Sequence, residues 1–452
     1  MYKLASATRA DRPAMDLYGP WLHTTPWPYA CWNMNEQVVY FPVYTANRLG
    51  LGESLCRMLD DNTQNLILNV PPEYQNDCAA IGTATGHDCR SDVGAEVGNL
   101  SWALHNYWRQ CRWAGDDARL RDKLYPLLKR AMTYYTRQLT KDDDGRLHLP
   151  PMSSPEYGVT TPDCNYDLSL LRWGLGVLIG TAEKWHLAEP QMGHWREVLA
   201  TLTPYPTDST GLMIGRGVPL AHAHRHFSHL LMIFPLRTMH WDQPENRDLI
   251  QKSLTHWMSV PGKDRLGFTY LGAASICASM GLGTRALGYL NTALDQTILP
   301  NTMYIEGCIE SPLGMCESVQ DMFLQSWGGV IHVFPGVPEA WAEATFHRLR
   351  AEGAFLVSAV RRAGTTQWVR IESLAGEPCR LRTGLASPVS VWHNGQQSVV
   401  TPGTNGTIDL SLAKGQSVVL FSGAQLPTLA VAPVPAEPGR TNYYGLRKTD
   451  AI

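Results

Sequence analysis

The chain has 452 residues, 44% of them hydrophobic, enough for one large domain plus a smaller one and too many for wholesale disorder. Its formal net charge is −3 with no block of like charges, which excludes the electrostatic footprint of a nucleic-acid binder or of a protein held on an acidic membrane surface. No apolar run reaches the ~18 residues of a membrane span, and the ten cysteines lack the paired spacing of a disulfide framework or a zinc site.

Residues from about 35 to 330 read mainly as helices joined by Pro/Gly loops. Leu100 to Arg112 is the first clear candidate. Leu120, Leu124, Leu127, Leu128, Ala131, Tyr134 and Tyr135 then recur at helical spacing, with Pro126 starting or kinking that helix. Asn165 to Trp185 repeats the pattern, with Asp163 as its expected N-cap. Arg247 to Met258, Leu271 to Met280, Thr284 to Leu294 and Glu317 to Trp327 follow. The period changes after about residue 345. Phe355, Val357 and Ala359 alternate with their neighbours, as do Trp368, Arg370 and Glu372. Asn394-Gly395 signals one hairpin within Val389 to Val400, and Lys414-Gly415 a second within Ile408 to Phe421. The expected architecture is mainly α: an α/α barrel over residues 1–345, an antiparallel β-sandwich over 346–423 and a Pro-rich tail, linker or strap, over 424–452.

Four short pieces carry chemistry. In Trp32-Asn33-Met34-Asn35, two amides at i and i+2 share a side if the segment is extended, and can then hold a water; they are equally ordinary as turn or cap residues. Glu156 follows Ser154-Pro155 and so sits on or beside a loop. Partial desolvation there would raise its pKa and make it a proton donor; a first-turn helix carboxylate is the alternative. His222, His224, His226 and His229 invite a metal reading, but Arg225 among them is a fixed positive charge, and a sugar contact or a structural network fits better. Glu306 and Glu310 lie in loop context, where an exposed carboxylate is the plain reading, and Glu317 and Asp321 fit a solvated helix face. Two carboxyl groups flanking a scissile bond are the usual glycosidase arrangement, ~6.5–9.5 Å apart in the inverting type. Trp and Tyr (15 and 18) outnumber Phe (9), which suits carbohydrate stacking and core filling alike.

In order and spacing, Asn33-Met34-Asn35-Glu36-Gln37, Ser154-Pro155-Glu156, Arg225-His226-Phe227-Ser228-His229-Leu230 and Met322 to Ser326 with Phe334-Pro335 resemble glycoside hydrolase family 95, the inverting α-L-fucosidase and α-L-galactosidase group. The resemblance implies an (α/α)6 barrel, Glu156 as general acid, and Asn33 and Asn35 helping a carboxylate polarise the attacking water. It implies Arg225 and His226 on the sugar, with Trp32 and His229 beside them, and no cofactor or metal. The family's base is an Asp in an Ile-Asp-Gly-Asn type segment; the aligned place here reads Ile309-Glu310-Ser311-Pro312, so Glu310 takes the part. Cys31 stands where the fucosidases carry His. The implied partner is an oligosaccharide or glycoconjugate. The rival readings are a related phosphorylase and a non-catalytic carbohydrate-binding relic. The family also implies an upstream β-domain, and Met1 to Arg9 resembles the end of its first barrel helix, so the chain is expected to be a fragment or to have a misplaced start. Met1 to Pro13 lacks the apolar core of a signal peptide. A secreted or periplasmic site is expected if the true N-terminus is missing; otherwise the scattered cysteines lean toward a reducing compartment.

Overall fold

The computed structural model describes residues 9–15, 17, 30–299, 304–305 and 309–435. Glu306, residues 1–8 of the first expected barrel helix and residues 436–452 of the tail lie outside them. Helices fill the chain as far as residue 323: Asn35–Thr45 (α1), Glu53–Asp61 (α2), Thr63–Leu68 (α3), Asn99–Ala114 (α4), Tyr125–Thr136 (α5), Asn165–Lys184 (α6), Met192–Thr201 (α7), Arg247–Ser259 (α8), Gly267–Ser279 (α9), Gly283–Thr297 (α10) and Glu310–Phe323 (α11). Their composition decides which of them lie inside. α9 reads GFTYLGAASICAS, carries no charge and is buried at every position. α1 is buried everywhere but Asn35. α8 and α10 instead bury one stripe, Ile250, Ser253, Leu254 and Trp257 in the first and Ala286, Leu290, Ala293 and Thr297 in the second, as helices with one wet face do. α9 packs on α10 and α11, α11 on α1, and α1 on α4. The three inner helices meet closely at Gly314 in α11, where a Cβ would come within 2.6 Å of Val38 and 2.7 Å of Leu271.

Short strand pairs tie the loops at one end of the helices. Ala30–Cys31 (β1) pairs with Ala84–Thr85 (β2), and Met152–Ser153 (β3) with Thr160–Thr161 (β4). The β part of the chain begins at Leu324 rather than at residue 346. Leu324–Trp327 (β5) and Val330–Val333 (β6) precede Ala344–Ala351 (β7), Phe355–Arg362 (β8), Thr365–Ser373 (β9), Cys379–Arg382 (β10), Val389–His393 (β11), Gln396–Val400 (β12), Thr407–Leu410 (β13) and Ser417–Ser422 (β14). They form a four-stranded sheet, β13-β10-β6-β5, and a six-stranded sheet, β7-β8-β9-β14-β11-β12. Ile331, Leu381 and Ile408 of the first share one apolar core with Val357, Ile371 and Leu420 of the second. Past the last strand, Val431 packs on the other face of the larger sheet, near Trp368 and Phe421.

Several local expectations change. Pro126 sits in the first turn of α5, preceded by a π-type turn over Leu120–Leu124, so the periodic stretch divides there. Asp163 does not cap α6; it binds the His148 ring at 2.8 Å and the Leu149 amide at 2.9 Å. The helix ending at Phe323 leaves Leu324–Trp327 as a strand. Asn394-Gly395 does turn the β11–β12 hairpin, both residues having the positive φ that such a turn needs. Lys414-Gly415 makes no hairpin, because β13 and β14 enter different sheets.

Glu317 and Asp321 are buried rather than solvated. Arg109 Nη2 donates to Glu317 Oε1 at 2.6 Å and Arg237 Nη2 to Asp321 Oδ2 at 2.9 Å, with Arg109 over the Tyr44 ring at 4.6 Å. These pairs line a cavity of about 120 Å³ between the helices and β5. Burial pushes Glu317 up to about 7 from its ordinary 4.5. A raised carboxyl adds stability that is complete below the ordinary value and is lost as pH rises through the folded value. The wild-type urea midpoint should therefore carry a downward component between pH 4.5 and 7 that Glu317→Gln removes. Parallel midpoint curves for the two proteins would contradict this assignment.

Candidate active site

The turn before α1 is neither extended nor helical. Met34 takes φ 144°, a strained value for a residue with a side chain, and Asn35 is the first residue of α1. That kink turns Asn33 and Asn35 toward the same cavity. Its frame is secured on both sides. The Trp32 amide donates to the Thr83 carbonyl at 2.7 Å, extending the β1–β2 pairing, and Gln37 Nε2 donates to the Trp32 carbonyl at 2.6 Å. Gln37 is thus a bracket for the turn.

Glu156 lies in the loop between β3 and β4 at φ 58°. Next to it, Ser154 Oγ meets Ser228 Oγ at 2.7 Å, tying this loop to the segment that carries Arg225 and His226. His226 Nε2 is 3.2 Å from Glu156 Oε2, Arg225 Nη2 donates to the same oxygen, and Asn33 Nδ2 is 3.5 Å from Oε1. The expectation of a raised pKa is reversed here. The His226 hydrogen bond, aided by the charges of His226 and Arg225, outweighs desolvation and holds Glu156 down to about 2. Glu156 is therefore a carboxylate.

The cavity, about 220 Å³, is lined by Asn33, Asn35, Glu156, Arg225, His226 and Glu310 together with Cys31 and the apolar Leu17, Leu266 and Phe268. Glu310 opens α11, where unpaired helix N–H groups favour a carboxylate, and is 1% exposed rather than a solvated loop residue. Cys31 is pushed up to about 12, chiefly by burial, so its thiol is neutral on this wall. Phe268 meets the His226 ring edge-on at 5.5 Å. Sequence reasoning missed Leu266, Phe268 and Thr83 of the wall, since a half-buried leucine just before α9, a buried apolar position within it and a loop threonine carry no periodic mark.

Two expected sugar contacts are not brought to the cavity. Trp32 is fully buried and its Nε1 donates to Thr85 Oγ1 at 2.9 Å. His229 is buried against Trp257, and burial takes its ring down to about 3. The other histidines form a ring stack: Tyr157 on His222 at 4.5 Å and His224 on His226 at 5.4 Å. Among the described residues, no group of three or more His, Cys, Asp or Glu side chains is placed to hold a metal ion. Trp32→Phe should cost about 1 kcal/mol of stability through the lost hydrogen bond and leave sugar affinity unchanged. Calorimetric titration beside urea denaturation checks this; weaker sugar binding at full stability would return Trp32 to the sugar.

The sequence pattern of the glycosyl hydrolase family 95 catalytic domain matches residues 1–322, and that of the family 95 C-terminal domain matches residues 325–420. Alpha-L-fucosidase 2 of Arabidopsis thaliana is 23% identical over 399 residues, covering 79% of this chain and 46% of that protein. A protein of Aspergillus niger assigned as alpha-fucosidase A is 24% identical over 314 residues, covering 60% of this chain and 39% of its own. The chain thus spans less than half the length of these curated relatives. Among solved structures, a protein from the human microbiome assigned as a kojibiose phosphorylase is similar in fold, with a TM-score of 0.55 at 9% identity over 85% of this chain and 60% of that one. With both domain patterns covering the described fold from helices to sheets, the chain belongs to glycoside hydrolase family 95.

Proposed function

We propose that this cavity hydrolyses an α-L-fucoside or a related α-L-glycoside, carried on an oligosaccharide or glycoconjugate, with inversion at the anomeric carbon. The observation that carries the reading is convergence: Asn33 and Asn35, Glu156, Arg225 and His226, and Glu310 come from four distant segments and line one cavity. Family membership and the named fucosidase relatives support the substrate class. In the proposed reaction Glu156 gives a proton to the leaving oxygen. Glu310 takes one from a water that Asn33 and Asn35 orient, and that water attacks the opposite face of the sugar. Arg225 and His226 bind hydroxyls near the reaction centre. The same reading makes the helices an (α/α)6 barrel and the two sheets a β-sandwich, divided at Phe323/Leu324. Phosphate in place of water is less well served, because the lining guanidinium, Arg225, is already shared between Glu156 and Asp264.

Glu156→Gln should lower kcat on an unactivated α-L-fucoside by on the order of 10²–10⁴-fold. Near-normal turnover by that variant would remove Glu156 as the acid. NMR of the first-released sugar should show the β-anomer, at a rate independent of added phosphate. An α-anomer first would mean retention, and an absolute need for phosphate would mean a phosphorylase.

A further inference from the structure

We propose that Asp264 is a positioning residue that competes with Glu156 for Arg225, so that a sugar entering the cavity moves the guanidinium toward Asp264 and frees Glu156 to take a proton. The inference rests on the hydrolytic reading above. Arg225 is divided between two carboxylates: its Nη2 edge grips Glu156, and its Nη1 lies 3.1 Å from both oxygens of Asp264. Its backbone is fixed separately, the Arg225 carbonyl accepting from Thr269 Oγ1 at 2.9 Å. The main chain can therefore stay while the guanidinium changes its balance.

Asp264 stands on the connection between α8 and α9, two residues before the wall residue Leu266. Arg265 straps this loop by donating to the Val260 and Gly262 carbonyls at 2.5 and 3.2 Å. Asp264 itself is 41% exposed at its side chain, so its position answers to the loop rather than to core packing.

The need for such a device follows from the charge on Glu156. A general acid must begin its step protonated, and the His226 and Arg225 contacts hold this carboxyl ionised. The groups facing it are Arg225 and His226 from one loop, the Asn33 amide from the turn and the neutral Cys31 thiol. The carboxylate Glu310 also lines the cavity, and Glu96, which accepts from Thr83 Oγ1 at 2.7 Å, is near enough to interact electrostatically with Glu156. A sugar hydroxyl between Arg225 and Glu156 replaces a charge contact by a neutral one and excludes water, and both changes favour the protonated carboxyl. Asp264 gives the displaced guanidinium a second anion to hold. The proton comes from bulk water.

The test is calorimetric titration of the whole chain with L-fucose at pH 6 in two buffers of different ionisation enthalpy, which counts protons taken up on binding. Wild type should take up a clear fraction of a proton, and Asp264→Asn at least threefold less. The alkaline limb of kcat on an unactivated α-L-fucoside should move about one pH unit toward acid in Asp264→Asn and return in Asp264→Glu. Sugar binding without proton uptake in wild type, or equal uptake and superimposable pH profiles in Asp264→Asn, overturns the inference. A wild-type chain that neither binds L-fucose nor cleaves the fucoside would instead withdraw the functional reading, and this inference with it.

Discussion

Taking a carboxylate out of water costs free energy unless opposite charge and hydrogen-bond donors replace the lost hydration. Glu156, whose side chain stays 38% exposed on a loop at φ 58°, loses only part of its hydration, and His226 at 3.2 Å, Arg225 and the Asn33 amide converge on its two oxygens to replace that part. The chain that supplies two of these partners is itself joined to the Glu156 loop through Ser154 and Ser228. The charge and the shape of the site are thus one constraint. Moving the 225–228 segment would leave Glu156 uncompensated, and neutralising Glu156 would loosen the segment.

The scaffold sets the remaining distances. α1 begins at Asn35 and α11 at Glu310, so the cavity lies where two inner helices present their N-terminal ends. The same two helices meet at Gly314, whose missing Cβ leaves room for the Val38 side chain of α1. Their far ends enter a second charged layer, in which Arg109, Arg237, Glu317 and Asp321 pair out of water. Beyond it, Arg350 of β7 donates to the Trp113 carbonyl and to Asn47, docking the sheets on the ends of α4 and α1. α11 therefore carries a proposed catalytic group at one end and a structural ion pair at the other. Its register is fixed by both.

Much of this was legible in the sequence, and the parts that were not share a cause. Helices with a polar face and a buried stripe, such as α8 and α10, announce themselves by periodicity, as does the Asn394-Gly395 turn. The grouping of Asn33, Asn35, Glu156, Arg225, His226 and Glu310 followed from motif order, since each motif is a local segment that the fold brings together whole. What stayed hidden depends on partners remote in sequence. Glu317 and Asp321 have the spacing of a wet helix face, and only Arg109 and Arg237 make their burial tolerable. Trp32 is adjacent to the site residues yet faces Thr85 rather than the cavity. The pKa of Glu156 runs opposite to expectation because its loop context points to desolvation, whereas His226 and Arg225, some 70 residues on, reach it only in the folded chain.

We propose Glu310 as the group that activates the nucleophile and Glu156 as the group that acts on the leaving oxygen, both lining one cavity. Azide rescue of Glu310→Gly on an aryl α-L-fucoside separates the two roles. Removing the base opens space beside Asn33 and Asn35 for an anion that needs no deprotonation. Azide should restore turnover and yield a β-L-fucosyl azide. An α-configured azide, or rescue in Glu156→Gly but none in Glu310→Gly, would contradict these roles.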